Sequence, residues 1–132
     1  MDKLQETIDN LKYDAAGLIP AVVIDEKTKQ VLMVAYMNSQ SLGETVKTGK
    51  THFWSRSRQK YWMKGESSGH TQQVSAIYTD CDADTLVIEV AQAGAACHEG
   101  YQSCFFRKLN DAGEWDVIAE KLFDPKEVYK NK

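Results

Sequence analysis

Leu4, Ile8 and Leu11 recur at the spacing of one helix face, so the chain is predicted to open with a short helix. The pattern then changes. Residues 18–24 and 31–37 are rich in β-forming apolar side chains, and the polar stretch 25–30 joins them as a predicted hairpin. Asn38 or Ser39 is placed to cap a helix carrying Leu42 and Val46, with Gly49 as its stop. Strands are predicted over residues 51–55, 60–63, 74–79 and 85–91. In the last of these Leu86, Ile88 and Val90 share one face by period two. Residues 94–102 read as a loop. Residues 105–109 and 115–122 flank the turn Asn110-Asp111-Ala112-Gly113 as a second hairpin, and Asp124-Pro125 opens a predicted terminal helix. The expected fold class is α+β and β-rich, with no GxGxxG or P-loop pattern.

A length of 132 residues suits one domain over 1–132, large enough to bury a core without staples. The net charge of −3 gives no global field toward nucleic acid or an acidic membrane, so anion binding must come from a local cluster. The opening MDKLQETIDNLKY has neither a basic n-region nor an apolar h-region, which makes the cytoplasm the expected compartment. The three cysteines, Cys81, Cys97 and Cys104, form an odd set that argues against a disulfide framework. They are either unrelated buried thiols or part of a metal site.

Three segments carry candidate chemistry. In Asp80-Cys81-Asp82-Ala83-Asp84 the carboxylates alternate, and an extended backbone would put them on one side with Cys81 on the other. Hard carboxylates suit Mg²⁺ or Ca²⁺ and a thiolate suits zinc; the plain alternative is a polar turn. An EF-hand is excluded, because Thr85 and Ala91 stand where its glycine and glutamate would be. In Cys97-His98-Glu99-Gly100-Tyr101-Gln102-Ser103-Cys104 the cysteines are too widely spaced for a zinc knuckle. They can converge only if the loop folds back. With Cys81 they would give three thiolates and an open fourth position, where zinc activates water. His98 is a candidate general acid or base, or a solvated loop histidine. The third segment, residues 52–72, mixes Arg56, Arg58, Lys60 and Lys64 with serines, glycines and Trp54, Tyr61 and Trp62. That mixture suits phosphate recognition, or else a charged hairpin rim. The candidate substrate-binding set is Trp54, Ser55, Arg56, Ser57, Arg58, Lys64, Gly65 and Ser68.

In order along the chain, VLMVAYMN at 31–38, HFWSRSR at 52–58, WMKGESSG at 62–69, DCDAD at 80–84, and then Ala96-Cys97-His98 and Ser103-Cys104-Phe105 resemble the phosphoribosyl-AMP cyclohydrolases. The resemblance covers about Leu18 to Arg107. It implies a pseudo-barrel of mostly antiparallel strands with short flanking helices, assembled as an intertwined homodimer. It also implies hydrolysis of the N1–C6 bond of the adenine ring of N1-(5-phosphoribosyl)-AMP, a step of histidine biosynthesis. The product is the phosphoribosyl-formimino imidazole carboxamide ribotide. On this resemblance Cys81, Cys97 and Cys104 bind zinc, with ligands from both chains, and Asp80, Asp82 and Asp84 bind magnesium. Two other classes are compatible with parts of the sequence. A zinc nucleoside deaminase would carry a Pro-Cys-x-x-Cys signature, which is absent. A nucleic-acid-binding β module would use the basic-aromatic segment, against an overall acidic charge. The expected partners are therefore a small-molecule nucleotide and a second copy of the chain, with neither nucleic acid nor membrane.

Overall fold

The computed structural model describes residues 2–122; the predicted helix at Asp124-Pro125 lies outside the described residues. The first helix, α1 (Lys3–Asp9), is capped by Asp2, whose carboxylate accepts from the Leu4 N–H at 3.1 Å. Ile8 is its buried anchor. Strands β1 (Ile19–Asp25) and β2 (Val31–Met37) form the predicted hairpin. The Asp25 carboxylate closes their connection by accepting from the Lys27 and Thr28 N–H groups. Helix α2 (Ser39–Thr48) opens with a reciprocal capping box between Asn38 and Ser41 and stops at Gly49, whose φ of 75° is the left-handed cap.

Four more strands complete the main sheet: β3 (His52–Ser55), β4 (Lys60–Met63), β5 (Gln72–Thr79) and β6 (Leu86–Gln92). The order is β4-β3-β2-β1-β6-β5, with β1 and β6 parallel and the other neighbours antiparallel. Ile19, Ala21 and Val23 of β1 and Leu86, Ile88 and Val90 of β6 point into one core, with Leu32, Met37, Leu42 and Phe53 packed over them. The alternation predicted for β6 is therefore its burial pattern.

The sheet curls until its β5 edge meets the segment that leads into β3. The Val74 N–H donates to the Gly49 carbonyl at 2.7 Å, and Lys50 bridges Gln73. Inside this closure Gln72 is fully buried. Its Oε1 accepts from Thr51 Oγ1 at 2.8 Å, and its Nε2 donates to Gln92 Oε1 at 2.8 Å. The closure explains why β5 begins two residues before its predicted start, at Gln72. The result is the β-rich α+β half-barrel with two short helices that the sequence led us to expect.

The second hairpin differs from expectation in extent. Its strands are β7 (Arg107–Leu109) and β8 (Trp115–Val117), shorter than the predicted 105–109 and 115–122. Just before β7 the Phe106 carbonyl still accepts from the Ile118 N–H at 2.9 Å, and its ring stacks on Tyr101 with centroids 3.8 Å apart. Beyond Val117 the chain turns back to the loop after β6, where Lys121 bridges Tyr101 and the Leu122 N–H donates to the Gly100 carbonyl.

Candidate active site

The site is built on the β3–β4 hairpin. Phe53 points into the core against Trp62, and Tyr36 of β2 pairs across to Trp54. Helix α2 locks the hairpin from behind. Thr45 Oγ1 accepts from the His52 N–H at 3.0 Å, and Thr48 Oγ1 lies 3.0 Å from His52 Nε2. The other ring nitrogen of His52 meets the Tyr61 hydroxyl. Burial holds His52 below the ordinary histidine pKa, against the opposing pull of Glu44 and Glu66. The connection from Ser55 to Lys60 is shaped by the Arg58 N–H donating to Ser55 Oγ at 3.2 Å. The next turn requires glycine at position 65. Its φ is 84°, and a Cβ there would lie 2.5 Å from the His70 backbone.

Between these turns lies an open cleft of about 580 Å³. Trp54, Ser55, Arg56, Ser57, Arg58, Lys64, Gly65 and Ser68 all line it, and His98 reaches it from the loop after β6. Tyr36, Val34 and Glu66, which no motif marks as cleft residues, also line it. Tyr36 supports Arg56, whose guanidinium carbon sits 3.9 Å from the ring centroid. Val34, apolar on an inner strand, is 45% exposed, which nothing in its apolar neighbours marks in advance. Lys64 differs from the exposed Arg56 and Arg58. Its Nζ donates to the Ala96 carbonyl at 2.5 Å, beside Cys97.

The loop from Cys97 to Cys104 does fold back. The Cys97 N–H donates to the Tyr101 carbonyl at 3.1 Å and the Ala96 N–H to the Gln102 carbonyl at 3.1 Å. Ser103 Oγ and the Cys104 N–H fasten the far end to the β2 carbonyls of Val31 and Leu32. Cys97 is buried and its thiol interacts with that of Cys104. Burial, and then Cys97, push the Cys104 thiol up to about 11, with Lys64 opposing. Two soft donors this close fit zinc, whose positive charge would favour their thiolate forms. Cys81 sits elsewhere, exposed in the β5–β6 turn.

That turn corrects one expectation. Asp80 to Asp84 is not extended; it is the tight connection of an antiparallel pair, with Ala83 at φ 59°. Local turn chemistry outweighs the alternation of the sequence. The Asp84 N–H donates to Asp80 Oδ1 at 3.1 Å, and the Lys12 N–H pins the Ala83 carbonyl at 2.8 Å. The turn still gathers the carboxylates. Oxygens of Asp80, Asp82 and Asp84 lie within 4.8 Å of one another, the only such group of three or more His, Cys, Asp or Glu among the described residues. A hydrogen bond with the Asp80 side chain, then desolvation and repulsion from Asp80 and Asp82, raise the Asp84 pKa. Such crowding suits a hard divalent cation.

A concave site that combines cations, hydroxyls and aromatic rings, bordered by a histidine and paired thiols, has the composition of a small-molecule enzyme site. Comparison with known proteins gives the family. The phosphoribosyl-AMP cyclohydrolase family profile matches residues 33–106. A phosphoribosyl-AMP cyclohydrolase of Pelotomaculum thermopropionicum is 55% identical over 122 residues, 92% of this chain and 95% of that protein. One of Methanosarcina barkeri is 57% identical over 123 residues, 93% of this chain and 92% of that protein. One of Chlorobaculum parvum is 48% identical over 131 residues, 99% and 96% of the two chains. The chain belongs to the phosphoribosyl-AMP cyclohydrolase family, a family of hydrolases. No helix among the described residues is long and apolar enough to cross a membrane.

Proposed function

We propose that the protein hydrolyses the N1–C6 bond of the adenine ring of N1-(5-phosphoribosyl)-AMP, as a step of histidine biosynthesis. Water adds at C6 and the N1–C6 bond breaks. C6 becomes the carboxamide carbon, N1 stays with the formimino group, and no ammonia leaves. The observation that carries this reading is the meeting of Arg56, Arg58, Ser55, Ser57, Ser68 and His98 on one cleft that adjoins Cys97. Arg56 and Arg58 bind the two phosphates, and Trp54 and Tyr36 face the base. His98 is placed to move a proton between water and the opening ring.

Zinc would be held by Cys97 and Cys104 with Cys81 of the partner subunit, and would supply Lewis acidity to water near neutral pH. Asp80, Asp82 and Asp84 would hold magnesium, which neutralises phosphate charge. A homodimer is supported by the β7–β8 hairpin. Leu109, Trp115 and Val117 are 56%, 64% and 58% exposed there, and an isolated two-stranded hairpin is marginal in water. The hairpin starts just after Cys104, so a second copy bringing Cys81 to that loop would also cover it.

The test is turnover of N1-(5-phosphoribosyl)-AMP by purified protein, before and after chelation. The expected product has gained one water and released no ammonia, with activity lost on chelation and restored by zinc. Ammonia release would favour the deaminase reading, and no turnover with metal supplied would overturn the proposal.

A further inference from the structure

Lys64 follows β4 and lies where the cleft wall meets the cysteine loop. Its backbone is fixed, because its N–H donates to the Thr51 carbonyl at 3.1 Å. Its Nζ lies 2.5 Å from the Ala96 carbonyl and 6.0 Å from the Trp62 ring. Ala96 is buried, and Cys97 and His98 follow it directly. Arg56 and Arg58, by contrast, line the same cleft but are exposed. The cysteine loop therefore has two anchors. Ser103 and the Cys104 N–H tie its far end to β2, and Lys64 ties its near end to the cleft wall.

We propose that Lys64 is a positioning residue that fixes the Cys97 end of the loop against the cleft, and not a phosphate ligand. The inference rests on reading the cleft as the nucleotide site and the thiols as zinc ligands. An ammonium hydrogen-bonded to a buried carbonyl is a charge-assisted bond, stronger than a neutral one. Breaking it frees the segment that carries both Cys97 and His98. It also removes a positive charge next to two sulfurs that carry negative charge when they bind metal. Outer-shell groups of this kind orient ligands, and their loss typically costs about 10- to 100-fold in metal affinity or activity.

The test compares Lys64→Met, which keeps the unbranched stem, with Lys64→Gln, which keeps a donor, and Lys64→Arg, which keeps the charge. Three quantities are measured on folded, monodisperse protein: zinc affinity by chelator competition, the visible spectrum of the cobalt-substituted protein, and kcat and KM separately. For Lys64→Met and Lys64→Gln we expect zinc affinity at least tenfold weaker, an altered cobalt spectrum and lower kcat, with KM within about twofold. Lys64→Arg should recover part of the zinc affinity. A raised KM with unchanged zinc affinity and cobalt spectrum would make Lys64 a phosphate ligand and overturn the proposal. So would three variants that match the parent protein in every readout. If Lys64→Met alone fails to fold, Lys64→Gln and Lys64→Arg decide. A parent protein that binds no zinc or turns over no substrate would instead defeat the functional reading beneath it.

Discussion

The β5–β6 turn and the loop after β6 both carry closely spaced ligand-type residues, and they are built in opposite ways. The turn is exposed and local. Asp80, Asp82 and Asp84 are gathered by one reversal of the backbone, held by their own hydrogen bonds and by Lys12. The cysteine loop is partly buried and anchored from outside by β2 and Lys64, yet it brings only Cys97 and Cys104 together. Cys81, covalently part of the aspartate turn, is chemically a match for the other cluster. The carboxylates converge within one turn, whereas the third cysteine, Cys81, stands apart from the pair formed by Cys97 and Cys104.

The sharpest way to break this comparison is to remove a sulfur. Cys97→Ala or Cys104→Ala should lose zinc and essentially all turnover; full zinc content in either variant, by metal analysis, would contradict a thiolate site. Next comes the division between chains. Cys81→Ala and Cys97→Ala proteins, each inactive, are unfolded together and refolded as a mixture. In a mixed dimer one site loses both sulfurs and the other is intact. With random pairing half the dimers are mixed, so roughly a quarter of the parent activity should return. Proven subunit exchange without recovered activity would place all three ligands in one chain. The smallest effect is expected from Asp82→Asn. It should raise the magnesium needed for half-maximal activity by roughly tenfold while zinc content stays unchanged, since carboxylates are hard ligands and thiolates soft. Activity of the parent protein that ignores magnesium would remove the reason for the aspartate site.

What could be read from the residues follows the range of the forces involved. The two helices, their caps at Asn38 and Gly49, and the alternation of Leu86, Ile88 and Val90 are local matters, and they stand as expected. The parallel pairing of β1 with β6 is not local, and no spacing announces that Ala21 lies beside Leu86. For the aspartates the alternation left an extended segment and a polar turn both open, and the backbone takes the turn. With strands on both sides, the backbone had to reverse somewhere between Thr79 and Leu86. Residues 54–58 and 64–68 were recognisable as cleft chemistry because charge, hydroxyl and aromatic side chains crowd together there. Tyr36 was hidden among apolar neighbours on β2, since its role depends on Arg56 from the β3–β4 turn. The stacking of Phe106 on Tyr101 beside β7 is likewise a contact that the alternating pattern does not encode.

Gln72 has a consequence for how many structures this sequence permits. A hydrophobic interior is tolerant of sliding, because one aliphatic side chain substitutes readily for another. Shifting β5 by a single residue exchanges its two faces. A slip that brings Thr71 inward would leave Thr51 and Gln92 Oε1 without the amide they now bond. Each buried polar group stranded in this way costs about 1–3 kcal/mol, while the native bonds add only about 1 kcal/mol apiece over bonds to water. The glutamine thus contributes little to the strength of the closed sheet and much to its uniqueness. It is the residue at which the half-barrel distinguishes its own register from the one that would bring Thr71 inward.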